Sequence, residues 1–248
     1  MTSQSNLLLS IEDLTVSFDG FKAVDGLNFY MDCNELHVII GPNGAGKTTV
    51  LDLICGKTKA TEGRIQFKNL ELTRLAEHQI VRNGVGRKFQ TPSIYETLTV
   101  FENLEISYPK GRNVLGCLLF KRTKAVTDKV LSIAGEINLT ELLDTDAALL
   151  SHGQKQWLEI GMLLMQDPEL LMLDEPVAGM SVKEREQTAE LLNRICTDRA
   201  VLVIEHDMEF VKRIAHKVTV LHQGKILAAG KMEDVQADEA VIEVYLGH

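Results

Sequence analysis

Four cysteines in 248 residues, Cys33, Cys55, Cys117 and Cys196, stand far apart with no CxxC or CxxH spacing. Neither a zinc-ligand pattern nor a disulfide framework is supported, and buried free thiols are expected. Long apolar runs are also missing: the longest, such as Val114 to Phe120, fall far short of the ~18 residues that a membrane-spanning helix needs. The polar stretch Met1 to Asn6 has no basic segment leading into an apolar one, so no export signal is expected and the chain reads as cytoplasmic. Cations are outnumbered, 26 Lys and Arg against 35 Asp and Glu, for a formal charge of −9 and a pI near 5.3. That balance argues against a free-standing nucleic-acid binder and against a polybasic membrane-surface protein. There are only 5 prolines and 1 tryptophan, and no internal repeat or low-complexity tract is present. What is present is 45% hydrophobic and 25% charged residues with 18 glycines and a mean hydropathy near zero. This is a globular composition, and the length allows one large domain or a core with an inserted lobe.

Short runs of Val, Ile and Leu alternate with longer segments of helical period, the pattern of an α/β fold in which helices flank a mixed or parallel sheet. Leu36–Ile40, Leu170–Leu173 and Ala200–Ile204 read as buried strands, each ending where Gly, Asp or Glu lets the backbone turn, so their carboxyl ends should face one ligand crevice. The first 35 residues alternate more loosely, as half-exposed antiparallel strands do. Trp157, Ile160, Gly161 and Leu164 recur at helical spacing within Gln154–Gln166, with Ser151 as N-cap and Asp167-Pro168 as the stop. A second helix is expected over Lys183–Cys196, headed by the capping-box spacing of Ser181 and Glu184. Between about Lys88 and Leu150 strand runs disappear and a helical lobe is expected, broken by a loop at Pro109–Asn113.

Gly41-Pro42-Asn43-Gly44-Ala45-Gly46-Lys47-Thr48 fits G-x-x-x-x-G-K-[ST], with a strand before it and a helix-compatible run from Thr49 to Ile54 after it. Glycines allow backbone N–H groups to wrap a phosphate, Lys47 adds a cation for the β and γ phosphates, and Thr48 offers an oxygen to Mg2+. The embedded Gly44-Ala45-Gly46 would be weak evidence for a dinucleotide fold, and the Lys47-Thr48 pair makes that reading poor. Leu170–Asp174-Glu175 is an apolar strand ending in two carboxylates, which suits one acid for the metal and one for an attacking water. Glu205-His206-Asp207 offers an imidazole at the same crevice edge.

Leu150-Ser151-His152-Gly153-Gln154 resembles the LSGGQ signature of ATP-binding-cassette ATPases, and the other landmarks of that family stand in order along essentially the whole chain. The resemblance implies a P-loop NTPase fold: a RecA-like mixed sheet with an N-terminal antiparallel β-subdomain (together about 1–87 and 168–248) and an inserted helical subdomain (about 88–167), forming a single ATPase domain over 1–248. It implies that Phe18 stacks on adenine, that Gly41 to Thr49 hold ATP, and that Gln90, Asp174 and Thr48 attend Mg2+. Glu175 would activate water, with Gln90 sensing Mg2+ and the γ-phosphate and His206 bonding that phosphate. Ser151, Gly153 and Gln154 would meet the ATP of a second such subunit, identical or related. Within the family, Gly86 to Leu104, Ser151 to Trp157 and Glu239 to Gly247 resemble the ATPase subunits of branched-chain amino-acid and urea importers, most of all the urea type. Expected partners are therefore membrane-spanning permease subunits and an external substrate-binding protein, with the chain peripheral on the inner face of the cell membrane. A soluble or export-type cassette ATPase is the alternative. Two positions depart from the family pattern, His152 where Gly is usual and Ser181 where Asp is usual. His152 is expected to point outward without a role, or else to lend the ATPase pH sensitivity, and Ser181 to act as a helix cap. Thr91 to Leu104 is the expected docking surface, with Tyr95 and Glu96 exposed and Phe101 and Leu104 packing the lobe.

Overall fold

A computed structural model describes residues 6–88, 94–109 and 122–246. They divide into two compact units, one within 1–87, 169–176 and 192–248, the other within 88–168 and 177–191. The first holds two sheets. Strands β1 (Leu7–Phe18), β2 (Phe21–Asp32), β4 (Glu62–Phe67) and β5 (Leu70–Glu71) form an antiparallel sheet in the order β2-β1-β4-β5. In β1, register shifts against β2 let Leu8, Leu9, Ile11, Leu14 and Val16 all reach the core. The larger sheet runs β10-β9-β3-β8-β7-β6, built from β3 (Leu36–Ile40), β6 (Val85–Lys88), β7 (Leu170–Asp174), β8 (Ala200–Ile204), β9 (Lys217–His222) and β10 (Lys225–Gly230). Strands β3, β8, β7 and β9 are mutually parallel and β10 closes the edge antiparallel to β9. Every residue of β3, β7 and β8 is buried, which is why their sequences are nearly continuous apolar runs, broken only by His37 and by Asp174 at the end of β7, rather than alternating ones. Helices α1 (Lys47–Ile54), α2 (Glu77–Arg82), α7 (Met208–Ile214), α8 (Met232–Ala237) and α9 (Glu239–Leu246) complete this unit.

The second unit is helical among its described residues: α3 (Val100–Ile106), α4 (Lys124–Glu136), two short 3-10 turns and α5 (His152–Leu164). Gly161 permits the close approach of α5, since a Cβ there would lie 2.5 Å from Ile137 Cδ1 and 3.0 Å from Leu104 Cδ2. Helix α6 (Val182–Ile195) begins in this unit, where Trp157 Nε1 donates to Thr188 Oγ1 (2.9 Å) and Thr188 Oγ1 donates to the Glu184 carbonyl (2.8 Å). Both expected helices start earlier than their periodicity suggested, α5 directly after the Ser151 cap and α6 directly after Ser181. Of the described cysteines Cys55 and Cys196 are buried, but Cys33 is exposed in the turn that follows β2, correcting its expected burial. The run Val114 to Phe120 and Cys117 lie outside the described residues. No helix among the described residues is long and apolar enough to cross a membrane.

Candidate functional site

Strand β3, hydrogen-bonded on both sides, delivers the chain into the phosphate loop at a fixed height. Two glycines are demanded by the surroundings: a Cβ on Gly41 would strike the Leu221 carbonyl oxygen, and one on Gly46, at φ +100°, would strike that of Ala23. The Gly224 N–H donates to the Ala45 carbonyl (3.0 Å), binding the loop to the β9–β10 turn. Gly46 caps α1 without a side chain, so the first-turn N–H groups are left facing outward for an anion. Buried Lys47 donates from Nζ to the carbonyls of Gly41 (2.7 Å) and Pro42 (3.0 Å). Burial draws its pKa down, while the negative charges of Glu175 and Asp174 act the other way. Asn43, Gly44 and Thr48 are exposed, Pro42 and Thr49 half-buried. A cavity of about 740 Å3 opens beside Pro42–Ala45, bounded also by His222 and Gln223 and by Glu243 and Val244 of α9.

Asp174, the buried last residue of β7, is followed by Glu175 at φ +48°, a left-handed conformation rare outside glycine. The Glu175 N–H donates to the Ile204 carbonyl at the end of β8 (3.0 Å), so the neighbouring strand holds that turn. Beyond β8 the buried Glu205 accepts at Oε2 from the N–H groups of His206 (3.0 Å) and Asp207 (3.4 Å), and Asp207 caps α7 by accepting from Phe210 (3.1 Å). These bonds fix the backbone that presents His206, whose Nδ1 stands 3.4 Å from Glu175 Oε1. Lysine, two acids and imidazole thus gather at the carboxyl ends of β3, β7 and β8. Phe18 ends β1 and is 49% exposed, so it is not a core residue. Among the described residues no group of three or more His, Cys, Asp or Glu side chains could hold a metal by itself. The hydroxyl of Thr48 and the carboxylate of Asp174 are hard oxygen donors, a set that fits Mg2+ sharing its other positions with phosphate and water.

In the helical unit Ser151 caps α5: its Oγ accepts from the Gln154 N–H (3.2 Å) and the Gln154 side chain accepts from the Ser151 N–H (2.9 Å). Gln154 is therefore engaged in the cap, and Gly153 is buried behind it. Ser151 Oγ donates to Glu184 Oε1 (3.0 Å), while Glu184 Oε2 accepts from the Ser181 N–H (2.9 Å) and Oγ (2.8 Å). These bonds hold the Glu184 carboxyl below the usual carboxylate range, those from Ser181 foremost. Ser181 is a cap, as its spacing predicts. His152 is exposed, as expected, but it is not without contacts: Nε2 lies 3.0 Å from the Ala178 carbonyl oxygen.

Gln90 and Thr91 to Ser93 lie outside the described residues. Of the expected docking surface, Tyr95 is 52% exposed, Glu96 is exposed but paired with Lys155 (2.9 Å), Leu104 is buried and Phe101 is half-buried. Sequence reasoning missed two features here. Glu184 touches Ser151 across 33 residues, and only its cap spacing to Ser181 was visible. Lys88, just ahead of Gln90, is fully buried in an ion pair with Glu159 of α5 (3.5 Å), for which no sequence signal exists.

Residues 24–178 match the model of the family described as ABC transporter, and residues 225–248 match that described as branched-chain amino acid ATP-binding cassette transporter. The chain is 36% identical to the high-affinity branched-chain amino acid transport ATP-binding protein BraF of Pseudomonas aeruginosa, over 98% of this chain and 99% of that one. It is 35% identical to the corresponding LivG protein of Escherichia coli K12, again over 98% and 99%. Among solved structures, a nucleotide-free ATP-binding cassette from an ABC transporter superposes with a TM-score of 0.84 at 31% identity, covering 98% of this chain and all (100%) of that one. A second cassette, in its ADP conformation, gives 0.85 at 32% identity, covering 98% and 99%.

Proposed function

The chain belongs to the ABC transporter family, as an ATP-binding and ATP-hydrolysing subunit of the branched-chain amino-acid importer group, and from that premise we propose how its own residues carry the reaction and what the reaction serves. Gly41 to Thr49 wrap the phosphates of ATP, with Lys47 exchanging its carbonyl partners for phosphate oxygens, and Phe18 stacks on the adenine. Glu175 orients a water and takes its proton as the water oxygen bonds to the γ-phosphorus; the bond to the β–γ bridging oxygen breaks, and ADP leaves with that oxygen. His206 donates to the γ-phosphate and steadies Glu175. Thr48, Asp174 and Gln90 are the residues that would hold Mg2+, which supplies charge neutralisation at the phosphates. Ser151 and the Gly153 N–H, at the start of α5, meet the γ-phosphate of ATP held by a second ATPase chain, with Gln154 keeping the cap in place.

The observation that carries this reading is the gathering of Lys47, Asp174, Glu175 and His206 at three strand ends, with a left-handed Glu175 held by the neighbouring strand. Its test is light scattering on size-exclusion of Glu175→Gln with and without Mg-ATP. Blocked hydrolysis should trap a dimer, whereas an ATP-binding chain that stays monomeric would refute a self-paired site.

Residues 1–248 then act as one ATPase domain on the cytoplasmic side of a membrane. It works with permease subunits that dock near Tyr95 and Glu96 and with an external substrate-binding protein, without nucleic acid. The cargo we propose is branched-chain amino acids, the solute for which BraF and LivG are named. Urea is the second reading, supported by the resemblance of Gly86 to Leu104 and of the tail from Glu239 to the urea type. Uptake of labelled leucine and of labelled urea by cells with and without the chain separates the two. Loss of neither uptake, with ATPase activity intact, would favour a soluble or export-type cassette.

A further inference from the structure

Ser151 has a single hydroxyl proton, and in this structure that proton is given to Glu184 Oε1 (3.0 Å) while the oxygen accepts from Gln154. The same carboxylate sits on Gly153 so closely that a Cβ at that position would lie 2.5 Å from Oε1. Its other oxygen takes two donors from Ser181, the N–H and the hydroxyl. One carboxylate therefore links the start of α5 to the loop ahead of α6. The start of a 13-residue helix favours an anion, through orphan N–H groups and the helix dipole, and Glu184 is the anion placed there.

We propose that Glu184 is a positioning residue of the shared ATP site: it holds the Ser151 hydroxyl and the Gly153 N–H ready as donors and must yield them to the incoming γ-phosphate. This rests on the reading of Ser151 and Gly153 as contacts to a second chain's ATP. The hydroxyl cannot serve both acceptors, and a carboxylate and a phosphate at one helix start repel. Engagement is an exchange, in which the Oε2 bonds to Ser181 let the carboxylate swing aside without losing all its partners. Ser181 suits this role chemically, because it offers two donors where an aspartate would bring a second negative charge.

The full chain carrying Glu184→Gln, Glu184→Asp or Ser181→Ala is titrated with Mg-ATP for phosphate release, and the same changes are placed in Glu175→Gln to follow ATP-dependent dimerisation. Glu184→Gln removes the competing charge, so the half-saturating ATP concentration should fall about three- to tenfold, ~0.7–1.4 kcal/mol, even as kcat falls because Ser151 is held less well. Glu184→Asp keeps the charge and should stay near the parent value, and Ser181→Ala, which removes a resting place for the carboxylate, should raise it. A purely structural cap would lower kcat or the melting temperature without tightening ATP dependence. A half-saturating ATP concentration in Glu184→Gln that is unchanged or raised overturns the proposal, and should that variant not fold, an unchanged or lowered value in Ser181→Ala does the same. Ser151→Ala is measured alongside: if it hydrolyses ATP like the parent, the shared-site reading falls and this inference with it, whereas a deficient Ser151→Ala beside an unresponsive Glu184→Gln refutes the role of Glu184 alone.

Discussion

Glu175→Gln and His206→Ala, made singly and together, separate what this pair does for the fold from what it does for turnover. His206 Nδ1 and Glu175 Oε1 are 3.4 Å apart, with side chains 65% and 33% exposed. Even fully opposite unit charges at such a spacing would attract by only about 1 kcal/mol in water, and exposed pairs in double-mutant cycles give ~0.2–1 kcal/mol. The pair should therefore contribute at most about 1 kcal/mol to stability, equivalent to ~2–4 °C in melting temperature for a chain of this size. Turnover should respond on another scale. Loss of a general base costs about 10²- to 10⁴-fold, or ~2.7–5.5 kcal/mol of barrier. If His206 and Glu175 act on one transition state, the double variant should be only slightly slower than Glu175→Gln, because groups that work as a unit are not additive. Phosphate release at saturating Mg-ATP, paired with thermal unfolding, measures both. Rate losses that multiply would place the two residues in separate steps, and a fall of more than about 6 °C in any variant would make the contact structural; either result refutes the reasoning.

Gly46→Ala should abolish the rise in melting temperature that ATP produces. A side chain at φ +100° carries about 1–3 kcal/mol of strain, and its Cβ meets a backbone carbonyl of β2 that has no rotamer to move. Phe18→Ala should weaken ATP binding by the ~1–3 kcal/mol of a base–aromatic stack, roughly 5- to 150-fold in a calorimetric titration. Phe21→Ala is the control, since Phe21 is more exposed still at 67%; equal losses from both would remove the stack. Buried His37, between Glu35 (2.8 Å from Nδ1) and Thr219 (2.8 Å from Nε2), has its pKa lowered from 6.5 by burial, with Glu35 opposing. The unfolded chain then binds more protons than the folded one just below pH 6.5, so stability falls as pH drops through that value, by up to ~1.4 kcal/mol per pH unit. Melting temperatures of the parent should decline below pH 6.5 and those of His37→Gln should lose that component; parallel curves would show that His37 does not titrate there.

The parts of the fold that the amino-acid pattern revealed are those whose cause is local. Strands β3, β7 and β8 are buried on both faces, so each is an apolar run, His37 apart, stopped by a turn residue, and the residues at those stops, Gly41, Asp174 and Glu205, stand where the candidate site gathers. The caps at Ser151 and Ser181 are legible because their cause is local, an N-cap residue type ahead of α5 and the three-residue capping-box spacing of Ser181 and Glu184 ahead of α6. The exposure of His152 follows from its place at the start of α5, but its contact with the Ala178 carbonyl spans 26 residues, where no periodicity reaches. The same distance in sequence hid Glu184 from Ser151, and the burial of Lys88 against Glu159 breaks the expectation that lysines stay in water. Tertiary neighbours, not propensity, decide these positions.

Two of the side chains assigned to the phosphates of ATP, Lys47 and Ser151, already have internal partners, unlike the outward N–H groups at the start of α1. Lys47 Nζ is bonded to the Gly41 and Pro42 carbonyls and the Ser151 hydroxyl to Glu184. ATP binding therefore replaces existing bonds, and its net free energy is the difference between a phosphate and a carbonyl or carboxylate as acceptor. That difference favours phosphate strongly at Lys47, where burial without a full counter-charge has lowered the ammonium's pKa and an anion restores the balance. At Ser151 the rival is itself an anion, so the gain is small and the second step of binding is the sensitive one. On the proposed roles of Ser151 and Glu184, ATP should thus load the phosphate loop readily, while engagement with Ser151 should depend on how firmly Glu184 is held, and substitutions at residues 181 and 184 should shift the ATP threshold of the reaction.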